Sequence, residues 1–239
     1  MLKTLWLIFV LLPLHCWAVA PLQVGFFDVA PYVISAKGKS LSGPYVDWAR
    51  ALAKEAGMEP VFTLLPFARI PLSLDDRSID MTLGFPTAEL DRAGLRLGEL
   101  ITIESVVVTS ATRPASTVAQ LKGYRLGRAR GGCQDLAVRI AAAPEQGPVL
   151  VDVTNFGSGL RMLALGRLDG LCLTRNVLDH YAKEAGIDRK QLGPEILIGR
   201  RAVVLYVRRS LDAQTLDRLR TAFTAIRPTK LDPSTRNSK

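Results

Sequence analysis

The sequence predicts an α/β protein of two similar lobes. Residues 69–83 read as a short leucine-bearing helix, a turn, Asp80 and a strand, and residues 159–173 repeat that pattern around Asp169. Each copy sits late in its own strand–helix–strand–helix–strand run. Helices between strands of like direction imply parallel sheets with right-handed crossovers. Two such runs in one chain leave a cleft between lobes, a natural place for a small ligand.

The chain opens with an export signal. Lys3 supplies the positive start, and residues 5–14 are apolar but for one proline, too short a stretch to span a bilayer as a helix. Cys16-Trp17-Ala18 offers small residues at the cleavage positions, so the cut is placed after Ala18, giving a signal peptide of residues 1–18. A competing cut after Ala20 is opposed by Pro21. His15 and Pro13 argue against lipidation of Cys16, and the paired arginines of twin-arginine export are absent.

Residues 22–27 are a strand candidate, broken by Asp28-Val-Ala-Pro-Tyr32. Residues 37–43 are a polar turn. Tyr45, Trp48, Ala49, Leu52 and Ala56 then fall at helical spacing as one apolar stripe, ended by Gly57 as a left-handed cap. Next come a strand over 60–65, a short helix over 68–76, a strand over 80–84 and a β-rich run over 105–110. A connector over 112–117 follows. The second run predicts strands over 124–128, 149–153 and 169–174, with helices over 134–143, 157–166 and 176–185. A late strand over 202–207, a closing helix over 213–226 and a frayed polar tail complete the chain.

The formal net charge is +9 over 239 residues. It fits a soluble basic surface, or attraction to an anionic ligand or membrane face. Nucleic acid is not expected as a partner: the arginines are scattered and no basic run is interleaved with aromatics. No later stretch is long and apolar enough to cross a membrane. Catalytic and metal chemistry are poorly supplied. His180 is the one histidine after the signal, and there is no Gly-x-Ser-x-Gly elbow, Walker lysine loop or metal-ligand cluster. Gly157-Ser-Gly159 lacks the third glycine of a dinucleotide fingerprint and reads as a helix start. No cofactor is expected.

Ligands bind at the carboxyl ends of strands in open α/β sheets. Those ends carry Asp28 and Tyr32, Phe67 with Arg69 close behind, and Gly84 to Thr87. In the second run they carry Arg130, Gly132 and Cys133, then Phe156, then Thr174.

At this point the residues resemble the bacterial extracellular solute-binding proteins of family 3, the periplasmic group serving amino-acid transporters. Val24-Gly25 through Pro31-Tyr32 looks like the opening strand and aromatic loop. Gly43 to Asp47 and Ala51-Leu-Ala-Lys54 look like the first helix. Leu65-Pro-Phe-Ala-Arg69 followed by Ile79-Asp80 is similar to a branch with Leu-Pro-aromatic-x-Arg. Thr87-Ala-Glu89 with Arg92 looks like the family's threonine, glutamate and arginine segment, Leu121-Lys-Gly123 through Gly132 like the start of lobe two, and Leu165-Gly-Arg-Leu-Asp169 closes the set. The resemblance covers nearly all of the chain after the signal. It implies a two-lobe, periplasmic-binding-protein-like (type II) clamshell, with lobe one over 19–108 plus 203–239 and lobe two over 109–202. It also implies a monomer that captures a small solute for an inner-membrane ABC permease, or for a sensor protein.

Arg92 stands one residue later than the family's spacing from Gly84. It would face a ligand carboxylate through a two-pronged pair, or else lie on the surface beside Asp91 and Glu89. The lobe-two strand of amino-acid binders usually ends in an aspartate that holds the ligand's ammonium, and Thr174 occupies that place. A neutral hydroxyl cannot pair a cation in a dry cleft as a carboxylate can, which argues against a plain α-amino acid. Gly131-Gly132-Cys133 opens a helix whose free N–H groups would hold an anion, or is an ordinary tight turn. Tyr32 and Phe67 would sandwich a planar ligand or belong to the core. Arg69 reaches the cleft or, the favoured reading, bridges to Asp75 or Asp76. Cys133 and Cys172 form a disulfide or remain two buried thiols. The expected function is therefore capture of a small anionic or carboxylate-bearing solute in the periplasm. The alternatives are a periplasmic cyclohexadienyl-type dehydratase, with Glu89 the nearest candidate acid, and a signalling clamshell.

Overall fold

The computed structural model describes residues 21–35 and 40–226. The segment read as an export signal, the polar tail and the middle of the polar turn lie outside them. Among the described residues eight strands form one curled sheet in the order β2-β1-β3-β8-β4-β7-β5-β6. One half is the parallel trio of β1 (Pro21–Phe26), β2 (Glu59–Leu64) and β3 (Met81–Gly84). The other is the parallel trio of β5 (Arg125–Ala129), β6 (Val149–Val153) and β7 (Gly170–Thr174). Between them run β4 (Gly94–Ser110) and β8 (Leu192–Arg208), antiparallel to each other and to the trios they border. A strand of 17 residues reaches roughly 55 Å, so each serves both halves.

The two halves repeat one fastening. Asp80 stands just before β3, and its carboxylate accepts from Gln23 N (2.8 Å) while its own N–H donates to Gln23 O (2.7 Å). Arg208 then closes on it, backbone to backbone at 2.9 Å and guanidinium to carboxylate at 2.6 Å. Asp169 stands just before β7 and does the same to Arg125: its carboxylate accepts from Arg125 N at 2.7 Å and its N–H donates to Arg125 O at 2.9 Å. Ser110 N and the Arg113 guanidinium complete this copy at 3.1 and 3.0 Å. Burial pushes the Asp169 carboxyl up, but the Arg125 N–H and the arginines outweigh it and hold the pKa below the usual carboxylate range. The twin aspartates of the sequence thus pin the third strand of each trio to its first.

Helices cover the trios. α1 (Pro44–Glu55) buries Tyr45, Val46, Trp48, Ala49, Leu52 and Ala53, and Gly57 follows it at φ +64°. α2 (Ile70–Asp75) and α3 (Ala88–Ala93) flank β3. α4 (Gln134–Ala142), α5 (Phe156–Ala164) and α6 (Arg175–Glu184) cover the second trio. α7 (Ala213–Ala225) returns to the first half, where Phe223 meets Trp48 edge to face at 5.9 Å.

Two expectations change. The sequence marked only residues 105–110 and 202–207 of the crossing strands. Their other halves carry Gly98, Glu99, Glu104, Gly193, Pro194 and Gly199, and shift register four times, so neither an apolar run nor a clean alternation marks them. The short helix α3 also went unread; its start is capped by the Thr87 hydroxyl, which accepts from Leu90 N at 3.2 Å.

Candidate functional site

The crossing strands form the floor of a cavity. Ile103 and Ser105 of β4, and Arg201 and Val203 of β8, point into it, as period-two alternation requires. Ile103 pairs with Arg201, and Ser105 pairs with Thr174 at the end of β7. Loops beyond the parallel strands build the walls. The first half gives Phe27, Val29 and Tyr32 after β1, Phe67 after β2, and Leu83, Gly84, Phe85 and Thr87 at the end of β3. The second half gives Ala129 and Gly131 to Asp135 around the start of α4, Phe156 at the start of α5, and Cys172 to Thr174. The space not filled by atoms is about 880 Å³, part of it open to solvent.

Several expected site residues meet here: Tyr32, Phe67, Gly84, Thr87, Gly132, Cys133, Phe156 and Thr174 all line this cavity. Cys133 and Cys172 are joined by a disulfide with Cα atoms 6.0 Å apart. That bond ties the start of α4 to β7 and holds Cys133 at φ +61°, a region side chains seldom occupy. Thr174 is 9% exposed, and its hydroxyl has no hydrogen-bond partner among the described residues.

Asp28, Arg69 and Arg130 are placed elsewhere, at an outer groove that shares Phe27, Phe67, Ala129 and Phe156 with the cavity. Arg130 pairs there with Asp152 at 3.2 Å. Arg69 makes no ion pair among the described residues, so the expected bridge to Asp75 or Asp76 is not formed. Asp28 is solvent-exposed at its edge, yet burial by its surroundings raises its pKa, with Glu184 adding to the rise and His180 opposing it.

Arg92 does not line the cavity. It is exposed on α3, and its carbonyl accepts from the Arg209 guanidinium at 2.7 Å. Asp91 instead bonds Arg96 and the Tyr206 hydroxyl. The arginine that does line the cavity is Arg201, whose guanidinium donates to Pro86 O and lies over the Phe85 ring, 5.6 Å from its centroid. Sequence reasoning missed it because the strand carrying it was unrecognised at that point. Phe85 fell within the named strand end Gly84 to Thr87, whereas Ser105 and Asp135 were not singled out, although Asp135 stands two residues after Cys133. Glu89 is exposed and also off the cavity.

The halves touch across the mouth. Ala30 N donates to the Tyr181 hydroxyl at 3.0 Å, and the Asn176 amide donates to the Tyr32 hydroxyl at 2.9 Å. Burial, chiefly, pushes the Tyr181 hydroxyl up to about 12. Its ring meets Phe156 edge to face at 5.5 Å. No helix among the described residues is long and apolar enough to cross a membrane.

The architecture is that of the periplasmic-binding-protein-like fold. The chain is similar to an ancestral arginine-binding protein bound to arginine, with TM-score 0.74 and 19% identity over 90% of this chain and 96% of that one. It is similar to an ABC uptake transporter substrate-binding protein from Streptococcus pneumoniae with bound histidine, with TM-score 0.71 and 20% identity over 86% of each chain. It is similar, too, to a histidine kinase sensor domain that resembles periplasmic binding proteins, with TM-score 0.76 and 20% identity over 91% and 95%. No family model and no curated protein matches the sequence. At these identities the likeness establishes the fold alone.

Proposed function

We propose that the protein is a periplasmic solute-binding protein that closes on a small carboxylate-bearing solute. The observation that carries this reading is one cavity walled by loops of both halves, over a floor that holds Arg201. A guanidinium is a forked donor suited to a carboxylate. The loops of two bodies meeting over a shared floor suit a hinge, with lobe one as residues 19–108 plus 203–239 and lobe two as 109–202. A solute touching both lobes stabilises the closed form. An inner-membrane ABC permease then reads that form, and the protein acts as a monomer.

A second reading, a sensor input domain, is favoured by the fold likeness to the kinase sensor domain. The dehydratase reading loses its candidate acid, since Glu89 stands off the cavity. A thermal-shift panel of amino acids, dicarboxylates and aromatic acids tests ligand capture. At least one is expected to raise the melting temperature in a saturable way, and Arg201→Met to remove that rise. A flat panel would overturn the reading.

A further inference from the structure

We infer that the cavity takes an aromatic or branched apolar monocarboxylate without an ammonium group, its carboxylate held at the floor by Arg201 and the Thr174 hydroxyl. This rests on the ligand-capture reading above and narrows it.

The walls set the body of the ligand. Phe27, Phe67, Phe85 and Phe156 present rings from both halves, Leu83, Ile103 and Val203 fill the spaces between them, and Tyr32 backs them from the core, stacked on Tyr45. Such a lining rewards a planar or branched apolar body.

The floor sets its polar end. Arg201 has committed one edge to Pro86 O and its face to Phe85. That fixes the guanidinium plane and leaves its other N–H groups for a ligand. Arg201 pairs with Ile103 on one side of β4 and Thr174 with Ser105 on its other side, so the two stand two strands apart across the floor and one pair apart along it. The Thr174 hydroxyl is buried, unpartnered and on the cavity lining. A buried hydroxyl without a partner costs stability, and a carboxylate oxygen placed there removes that cost. The anion site is thus built by the sheet floor rather than by the loop before α4.

An ammonium finds no carboxylate on the β7 side of the floor, where Thr174 stands. The cavity's carboxylate is Asp135, in the first turn of α4. There the free N–H groups and dipole of the helix offset its charge, and its oxygen packs onto the backbone at Gly199. The end of β7, where a carboxylate would face the cavity, carries Thr174.

Calorimetric titration of the purified protein with a matched series tests this: 3-phenylpropionate, indole-3-acetate, 4-methylpentanoate, 3-phenylpropionamide, L-phenylalanine and phenethylamine. At least one of the three carboxylates is expected to bind tenfold or more tighter than L-phenylalanine, with the amide and the amine weaker still. Arg201→Met should lose the carboxylate by tenfold or more, and Thr174→Val should weaken it several-fold, with melting curves still cooperative. Equal binding of acid and amide would overturn the proposal. So would tighter binding of L-phenylalanine, the more clearly if Asp135→Asn abolished it. If arginine, glutamine or a dicarboxylate bound and the series did not, the proposal would fall and ligand capture would stand. If nothing bound, both would fall.

Discussion

Thr82 and Thr174 each bury a hydroxyl that finds no partner among the described residues. They separate a packing role from a binding role. Thr82 lies in β3, fully buried and away from the cavity. Valine there keeps the shape and removes an unsatisfied polar atom, so Thr82→Val is expected to stabilise by about 1 kcal/mol, read as a higher urea midpoint. Thr174→Val should stabilise similarly and yet weaken the ligand. A loss of stability at both sites would mean that the hydroxyls are satisfied in solution. Asp28 gives a pH signature. Its folded pKa is raised, so the ionised form costs stability at pH above that value. Lowering the pH through the folded pKa removes the cost, and below about pH 4, an ordinary aspartate pKa, none remains. Asp28→Asn should therefore be more stable than the parent at pH 7 and indistinguishable from it below pH 4, by urea titration at both.

Among elements, the disulfide has the largest expected effect. It closes a loop with a sequence separation of 39 and ties α4 to β7. Chain entropy alone assigns such a loop about 4 kcal/mol. Replacing both cysteines with alanine should lose an amount near this in urea titration, and reducing agent should have no effect on that variant. A far smaller loss would mean that the core around Leu126, Leu136 and Ile196 holds the segment unaided. Both outcomes open for Cys133 and Cys172 were visible in the sequence, because strand alternation put Cys172 on one face with Thr174; only the three-dimensional approach of α4 decides between them. The parallel trios and most helices were legible for the same kind of reason. An apolar stripe at 3.6 or a run bounded by turn residues reports local burial directly. The crossing strands were half hidden because one stretch of each faces solvent or cavity and carries charge there. Arg201 shared that fate: a cavity-facing arginine on a polar stretch looks like any surface arginine until its neighbours across the sheet are known. Arg92 failed in the opposite sense, since spacing from Gly84 cannot tell which side of α3 faces the cavity.

At the scale of the molecule, the proposed closure would rest on a few polar contacts between halves joined covalently through β4 and β8. Ala30 N and the Tyr181 hydroxyl form one of them, in a buried setting. Tyr181→Phe keeps the ring against Phe156 but leaves the Ala30 N–H without its acceptor. A buried N–H so stranded costs about 1–3 kcal/mol. Opening the cleft returns that N–H to water, so the cost falls on the closed form and not on the open one. The equilibrium should move toward the open form by roughly 5- to 150-fold. Small-angle scattering of the ligand-free variant should then give a larger radius of gyration than the parent wherever the parent is mainly closed. Apparent ligand affinity should fall in proportion to the lost closed fraction, and saturating ligand should restore the parent's scattering. Asn176→Ala, which removes the amide's bond to the Tyr32 hydroxyl, should move scattering in the same direction. If both variants scatter like the parent without ligand, packing such as that of Phe67 against Gly131 holds the halves together, and these two hydrogen bonds only accompany closure.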